Sequence, residues 1–186
     1  MIKINKNWSL FLDRDGVINH DTPNDYVRNA DMFRFFETSV PALKIMNPLF
    51  KHIVIVTNQR GVTKGVMTLA DLAGIHQKMM HELEANNARI DKIYFCTDID
   101  AATSTHRKPA PGMAYDAKKD FPAIDFNQSI MVGNNISDML FGRAVGMTTV
   151  FIDDRQERNG VKSAEMDYLF NNLLELAEAL QFEPAH

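Results

Sequence analysis

The chain lacks several features that can settle a fold or a function at once. It has one cysteine, Cys96, in 186 residues. No internal disulfide is possible, so the fold must rest on its core, and a reducing compartment is the natural setting. No apolar run approaches the roughly 20 residues of a membrane helix. The apolar part of MIKINKNWSLFLD is too short for a secretory leader. The expectation is a cytoplasmic protein with no membrane partner. Nor is there an excess of positive charge: 20 Lys and Arg face 24 Asp and Glu, a net charge of −4. That argues against a nucleic-acid partner held by electrostatics, though not against a local basic pocket. Repeats, linkers and low-complexity tracts are missing too.

What remains is an ordinary globular composition, 45% hydrophobic and 24% charged. The length fits a single domain over 1–186 with a full core, and a monomer is the default. Short continuous apolar runs read as buried parallel strands: 8–13, 52–58, 92–96, 129–133 and 148–153. Helical patterns lie between them. Residues 39–50 carry Pro41 in the first turn. Residues 68–87 place Leu69, Leu72, Ile75, Met79, Met80 and Leu83 on one face, behind a Thr68/Asp71 capping box. Shorter helices are expected over 112–121 and 136–146, and a final surface helix over 168–182. The alternation predicts an α/β fold with a Rossmann-like, doubly wound parallel sheet. The segments 14–37 and 97–111 stay irregular, and long loops in a small domain are often functional.

In such sheets chemistry gathers beyond the carboxyl ends of the strands. Those ends read Asp13-Arg14-Asp15-Gly16, then Thr57-Asn58-Gln59-Arg60-Gly61, then Arg107-Lys108-Pro109 in the loop after the third strand, then Gly133-Asn134-Asn135-Ile136-Ser137-Asp138. Two carboxylates, a hydroxyl, a lysine and an acidic polar loop are collected in chain order. The histidines His20, His52, His76 and His81 read as surface or packing residues.

The segments FLDRDGVIN, VTNQRGV, RKPAPGM and MVGNNISDM resemble, in order, the four motifs of the haloacid dehalogenase superfamily of aspartate-nucleophile phosphatases. Within it the likeness is greatest to the D-glycero-D-manno-heptose 1,7-bisphosphate phosphatases and the histidinol-phosphate phosphatases. The resemblance covers about Leu10 to Asp153. It implies a HAD-like fold with a minimal cap and hydrolysis of a small phosphomonoester, heptose bisphosphate first and histidinol phosphate second. By carry-over, Asp13 is the nucleophile that forms an aspartyl-phosphate and Asp15 the general acid and base. Thr57 and Lys108 hold the phosphoryl oxygens. Asn58, Gln59, Arg60, Lys64 and Arg107 line the substrate side. Mg²⁺ is bound by Asp13, the Asp15 carbonyl and the fourth motif at Asn134, with Asp138 reaching the metal directly or through water. Crowding by a second carboxylate is expected to help Asp15 keep a proton.

Two positions depart from the pattern. The fourth motif usually begins Gly-Asp, and here Asn134 stands where the acid would be. The related phosphatases also carry a zinc loop before Arg-Lys-Pro; here only Cys96 remains, with Asp98, Ser104 and His106 in place of the other ligands, so zinc is not expected. A signalling receiver domain shares clustered acids, Thr and Lys, but would carry its phosphoacceptor on the third strand, which ends in Cys96-Thr97-Asp98. A non-catalytic sugar-phosphate binder is the alternative that Asn134 raises.

Overall fold

Chain order and apolar patterning become layers in the computed structural model, which describes residues 1–22, 25–154 and 162–182. The strands are β1 (Ile2–Ile4), β2 (Ser9–Leu12), β3 (His52–Asn58), β4 (Lys92–Cys96), β5 (Ser129–Gly133), β6 (Thr148–Ile152), β7 (Tyr168–Phe170) and β8 (Leu180–Phe182). The helices are α1 (Ser39–Met46), α2 (Leu69–Ala85), α3 (Gly112–Asp120), α4 (Ile136–Ala144) and α5 (Leu173–Ala179). Six strands form one sheet in the order β4-β3-β2-β5-β6-β7, every pair parallel. The chain builds outward from β2 through β3 to β4, then returns to the other side of β2 and continues through β5. The order therefore reverses between β2 and β5, where a crevice opens at the strand ends.

Side chains alternate across the sheet as a strand period of two requires. Leu10, Leu12, Ile53, Ile55, Ile130 and Val132 face a core shared with α1, α2 and α5. Phe11, Val54, Val56 and Met131 face the opposite core with Met113, Ala114 and Ala117 of α3 and Phe141 of α4. Both faces are covered, which explains why the strands read as unbroken apolar runs. The Thr68/Asp71 capping box starts α2 as the sequence predicts, and Asn135 with Asp138 forms a second box at α4.

The stretch 168–182 differs from the single helix expected there. Tyr168–Phe170 pairs with β6 as the sixth strand. The Asn172 side chain then accepts from the Leu174 and Glu175 N–H groups and starts α5. Leu180–Phe182 leaves the helix to pair with Ile2–Ile4 in a separate two-stranded sheet. The apolar spacing suits a helix throughout, but an open edge at β6 and the N-terminal strand compete for the two ends of this stretch. The expected helix over 39–50 stops at Met46, just before Pro48, which has no N–H to offer.

One large polar side chain enters the interior beside the crevice. Arg14, just beyond β2, is fully buried. Its Nε and Nη2 donate to the Asp15 carboxylate at 2.8–3.2 Å, and its Nη1 lies 3.3 Å from Nε2 of His76 on α2. Arginine is always protonated and can only donate, so His76 Nε2 must accept and the ring must be neutral. Burial, and then the Arg14 charge, push His76 down to about 4.

A histidine lowered in the folded state binds fewer protons there than in the unfolded chain between about 4 and 6.5. Its neutral form is therefore fully compatible with folding above 6.5, and the associated stability is lost as pH falls toward 4. In urea titrations, His76→Gln should show a shallower loss of stability over this window than the parent. The difference should approach one proton, about 1.4 kcal/mol per pH unit at most. Parallel slopes would show that His76 is not held neutral.

Candidate active site

The crevice at the β2/β5 reversal is a cleft of about 1070 Å³. Asp13, Asp15, Thr57, Asn58, Gln59, Arg60, Lys64, Arg107, Lys108, Asn134 and Asp138, all the residues singled out by sequence, line it. They come from four strand ends and the loops behind them, so the parallel sheet does the gathering.

At its floor lies a buried cation between two carboxylates. Lys108 Nζ is 2.8 Å from Asp13 Oδ1 and 2.7 Å from Asp138 Oδ1, with the Val56 carbonyl at 2.7 Å. Burial alone would lower the lysine, but Asp13 and then Asp138 outweigh it, and Lys108 is held above its usual value. Asp13 is pushed up to about 6, first by burial and next by Asp138 and Asp15, against the opposing pull of Lys108. Among the described residues, Lys108 and the Arg14 N–H, each at 2.8 Å, meet Asp13 at Oδ1, and Oδ2 is the oxygen left to the cleft.

Asp15 behaves differently from the sequence expectation. Burial would raise it, but the Arg14 charge, Asn19 and Gln59 together hold it below the usual carboxylate value. Asn19 Nδ2 donates to Oδ1 at 2.9 Å and Gln59 Nε2 to Oδ2 at 2.8 Å. Crowding thus falls on Asp13, not Asp15, because Arg14 neutralises Asp15 locally. Neither Arg14 nor His76 was picked out by the sequence reading. The only available signal was Arg14's place between the two acids, since the contact with His76 spans 62 positions.

Three further cleft residues have partners that their sequence positions do not announce. Asn58 lines the cleft and also holds the loop opposite: its Nδ2 donates to the Lys108 carbonyl at 3.1 Å and its Oδ1 accepts the Lys108 N–H at 3.0 Å. Its carboxamide fixes the Lys108 backbone as a strand neighbour would. Gln59 bridges Asp15 and the Thr57 hydroxyl, at 2.8 and 3.0 Å, and so orders the catalytic face. Asp138 was expected at a metal, yet Oδ1 pairs with Lys108 while Oδ2 accepts the Asn134 and Asn135 N–H groups at 3.2 and 3.0 Å. With both oxygens committed, it supports the lysine and the loop. A Cβ on Gly133 would lie 2.2 Å from the Asp138 Cβ, so this approach requires glycine.

The rim is cationic. Arg60 Nε donates to the Tyr26 hydroxyl at 2.9 Å, and Lys64 Nζ stands 5.8 Å from the centre of the Tyr26 ring. Tyr26, another residue not foreseen, comes from the irregular segment after β2 and contributes to the small cap. In the loop 97–111, His106 Nε2 meets Asp116 at 3.1 Å, and Cys96 Sγ lies 3.7 Å from the Ser104 hydroxyl.

Among the described residues no three His, Cys, Asp or Glu side chains converge in metal-holding geometry. A divalent ion here would have to rest on one carboxylate and neutral oxygens. Asp13, the Asp15 backbone and Asn134 offer such a set. The Asn134 carboxamide presses on the turn after Asp13: a Cβ at Gly16, whose φ is +76°, would fall 1.9 Å from Asn134 Nδ2. Hard oxygen donors with room for water fit Mg²⁺.

Comparisons with known proteins agree with this geometry. The model of the polynucleotide kinase 3 phosphatase family matches residues 10–173. A D-glycero-alpha-D-manno-heptose-1,7-bisphosphate 7-phosphatase of Mycobacterium bovis is 34% identical over 173 residues, 93% of this chain and 91% of that protein. A D-glycero-beta-D-manno-heptose-1,7-bisphosphate 7-phosphatase of Rhodopseudomonas palustris is 35% identical over 144 residues, 74% of this chain and 78% of its own. The crystal structure of a D,D-heptose 1,7-bisphosphate phosphatase from B. bronchiseptica, complexed with magnesium and phosphate, superposes with a TM-score of 0.80 at 25% identity, covering 96% of this chain and 97% of that one. With four strand ends delivering Asp13, Thr57, Lys108 and Asp138 to one cleft, the chain belongs to the polynucleotide kinase 3 phosphatase family and is a phosphatase of the haloacid dehalogenase superfamily.

Proposed function

We propose that this phosphatase removes the 7-phosphate of D-glycero-D-manno-heptose 1,7-bisphosphate, with Mg²⁺ bound at Asp13, the Asp15 carbonyl and Asn134. The observation that carries the reading is the buried Lys108 ammonium beside Asp13, with Thr57 in the same cleft. It supports an anionic nucleophile that can approach an anionic phosphoryl group. When bound, the magnesium ion supplies further positive charge to the phosphoryl oxygens.

The residues divide the work as follows. Asp13 Oδ2 attacks phosphorus and the bond to the sugar oxygen breaks, giving an aspartyl-phosphate. Lys108 and the Thr57 hydroxyl hold the equatorial oxygens where charge accumulates. Asp15 gives a proton to the leaving oxygen, then takes one from the water that cleaves the aspartyl-phosphate. Its resting state, ionised against Arg14, suits the second task. The first requires a proton gained as the phosphate dianion enters, because added negative charge raises a carboxyl pKa. Arg60, Lys64 and Arg107 at the rim suit a second phosphate, as a bisphosphate would bring. The matched relatives act on opposite anomers by name, so the anomer is left to the assay.

A panel of heptose 1,7-bisphosphate (both anomers), histidinol phosphate and a 3′-phosphorylated oligonucleotide, assayed with Mg²⁺, tests the reading. Heptose bisphosphate should be turned over with the highest kcat/KM, and Asp13→Asn should lose about a thousandfold or more. A preference for the oligonucleotide, or no turnover of either sugar, would reject the substrate. In a separate measurement, Asn134→Asp restores a carboxylate to the proposed metal site. It should lower the Mg²⁺ concentration for half-maximal activity by about tenfold. A rise from near-zero activity instead would identify the parent as a binder rather than an enzyme.

A further inference from the structure

The segment between β4 and α3 carries two cleft residues in succession, Arg107 and Lys108, but the two are anchored by different means. Lys108 is fixed from the β3 side, through Asn58 and the Val56 carbonyl. Arg107 is fixed from its own loop, and the contacts converge on one atom. The Ser104 hydroxyl donates to Asp98 Oδ2 at 2.6 Å and accepts the backbone N–H groups of His106 and Arg107, at 3.1 and 2.8 Å. A hydroxyl has one donor and two acceptor sites, and all three are used. The same two segments meet again where Arg107 Nη1 donates to the Asp98 carbonyl at 3.2 Å. Beyond this, Arg107 Nε is buried without a hydrogen-bond partner among the described residues, and the residue lines the cleft. A buried, unsatisfied donor of a charged group is costly unless a ligand completes it.

We infer that Ser104 is the positioning residue for Arg107: its hydroxyl pins the backbone at 106 and 107 to Asp98 at the end of β4 and so holds the guanidinium at the cleft to receive an oxyanion of the substrate. The inference rests on the proposed role of Arg107 in binding phosphate. It separates two functions that adjoin in sequence. Loss of the Ser104 hydroxyl frees Arg107 while Asn58 keeps Lys108 in place, so binding weakens and the chemical step does not.

Threonine and valine at position 104 have the same shape and differ in the hydroxyl alone. Ser104→Thr, Ser104→Val and Arg107→Ala are compared by KM and kcat on heptose 1,7-bisphosphate and by calorimetric Kd for inorganic phosphate with Mg²⁺, which needs no turnover. Ser104→Val should raise KM and the phosphate Kd about tenfold relative to Ser104→Thr, with kcat within about twofold. Arg107→Ala should weaken binding at least as much. Equal values for the Thr and Val variants, with Arg107→Ala impaired, would overturn the role of Ser104 alone. Unchanged KM for the bisphosphate together with unchanged phosphate Kd in Arg107→Ala would overturn both assignments. A fall in kcat without a change in KM would assign Ser104 to the Lys108 side and reject the inference.

Discussion

The site depends on a single buried ammonium. Lys108 holds Asp13 and Asp138, each within 2.8 Å, and is the shared cation of two buried carboxylates. Removing one partner from a buried charge cluster typically costs about 3–5 kcal/mol, because the others are left uncompensated. In the proposed mechanism the same contact lies against the nucleophile, Asp13, which is raised to about 6 by burial and by its acidic neighbours. Asp138 also caps α4 and binds the N–H groups of Asn134 and Asn135. Through it, the floor of the cleft and the loop of Asn134 and Asn135 form one unit.

A second charge cluster sits beside the first, with its own cation. Arg14 is buried between Asp15 and His76, and it absorbs the negative charge of Asp15. Two aspartates with one residue between them therefore occupy different electrostatic environments. Asp13 shares its lysine with another acid, whereas Asp15 has a guanidinium to itself and two amide donors besides. Such a division is how a pair of like groups comes to serve unlike roles. Gln59 joins the clusters, touching Asp15 and Thr57 at once.

The cleft is assembled from loops that are fixed by side chains more than by regular structure. Asn58 acts as a strand edge for Lys108, Ser104 gathers the backbone of 106 and 107, and Tyr26 meets Arg60 from the opposite side. These are carboxamide, hydroxyl and phenol groups, each able to satisfy backbone or guanidinium partners where no ladder continues. The small cap leaves the rim open, and its cations are the feature that suits a doubly phosphorylated substrate.

The sequence by itself determined five of the six strands of the main sheet, the capped helix α2 and the gathering of Asp13, Thr57, Lys108 and Asp138 at one end of the sheet. Continuous apolar runs and strand-end polar residues are local signals, and a parallel sheet obliges those ends to meet. The tertiary structure alone decided what those residues do to one another. Asn58 turned to the Lys108 backbone, Asp138 to the lysine, and Arg14 to His76, because each choice depends on a partner between 30 and 62 positions away. It also decided the fate of 168–182, where the open edges of β6 and β1 outcompeted a helical pattern at both ends. Hydrogen-bond partners and unpaired strand edges exist only once the chain has folded, and no spacing of residues encodes them singly.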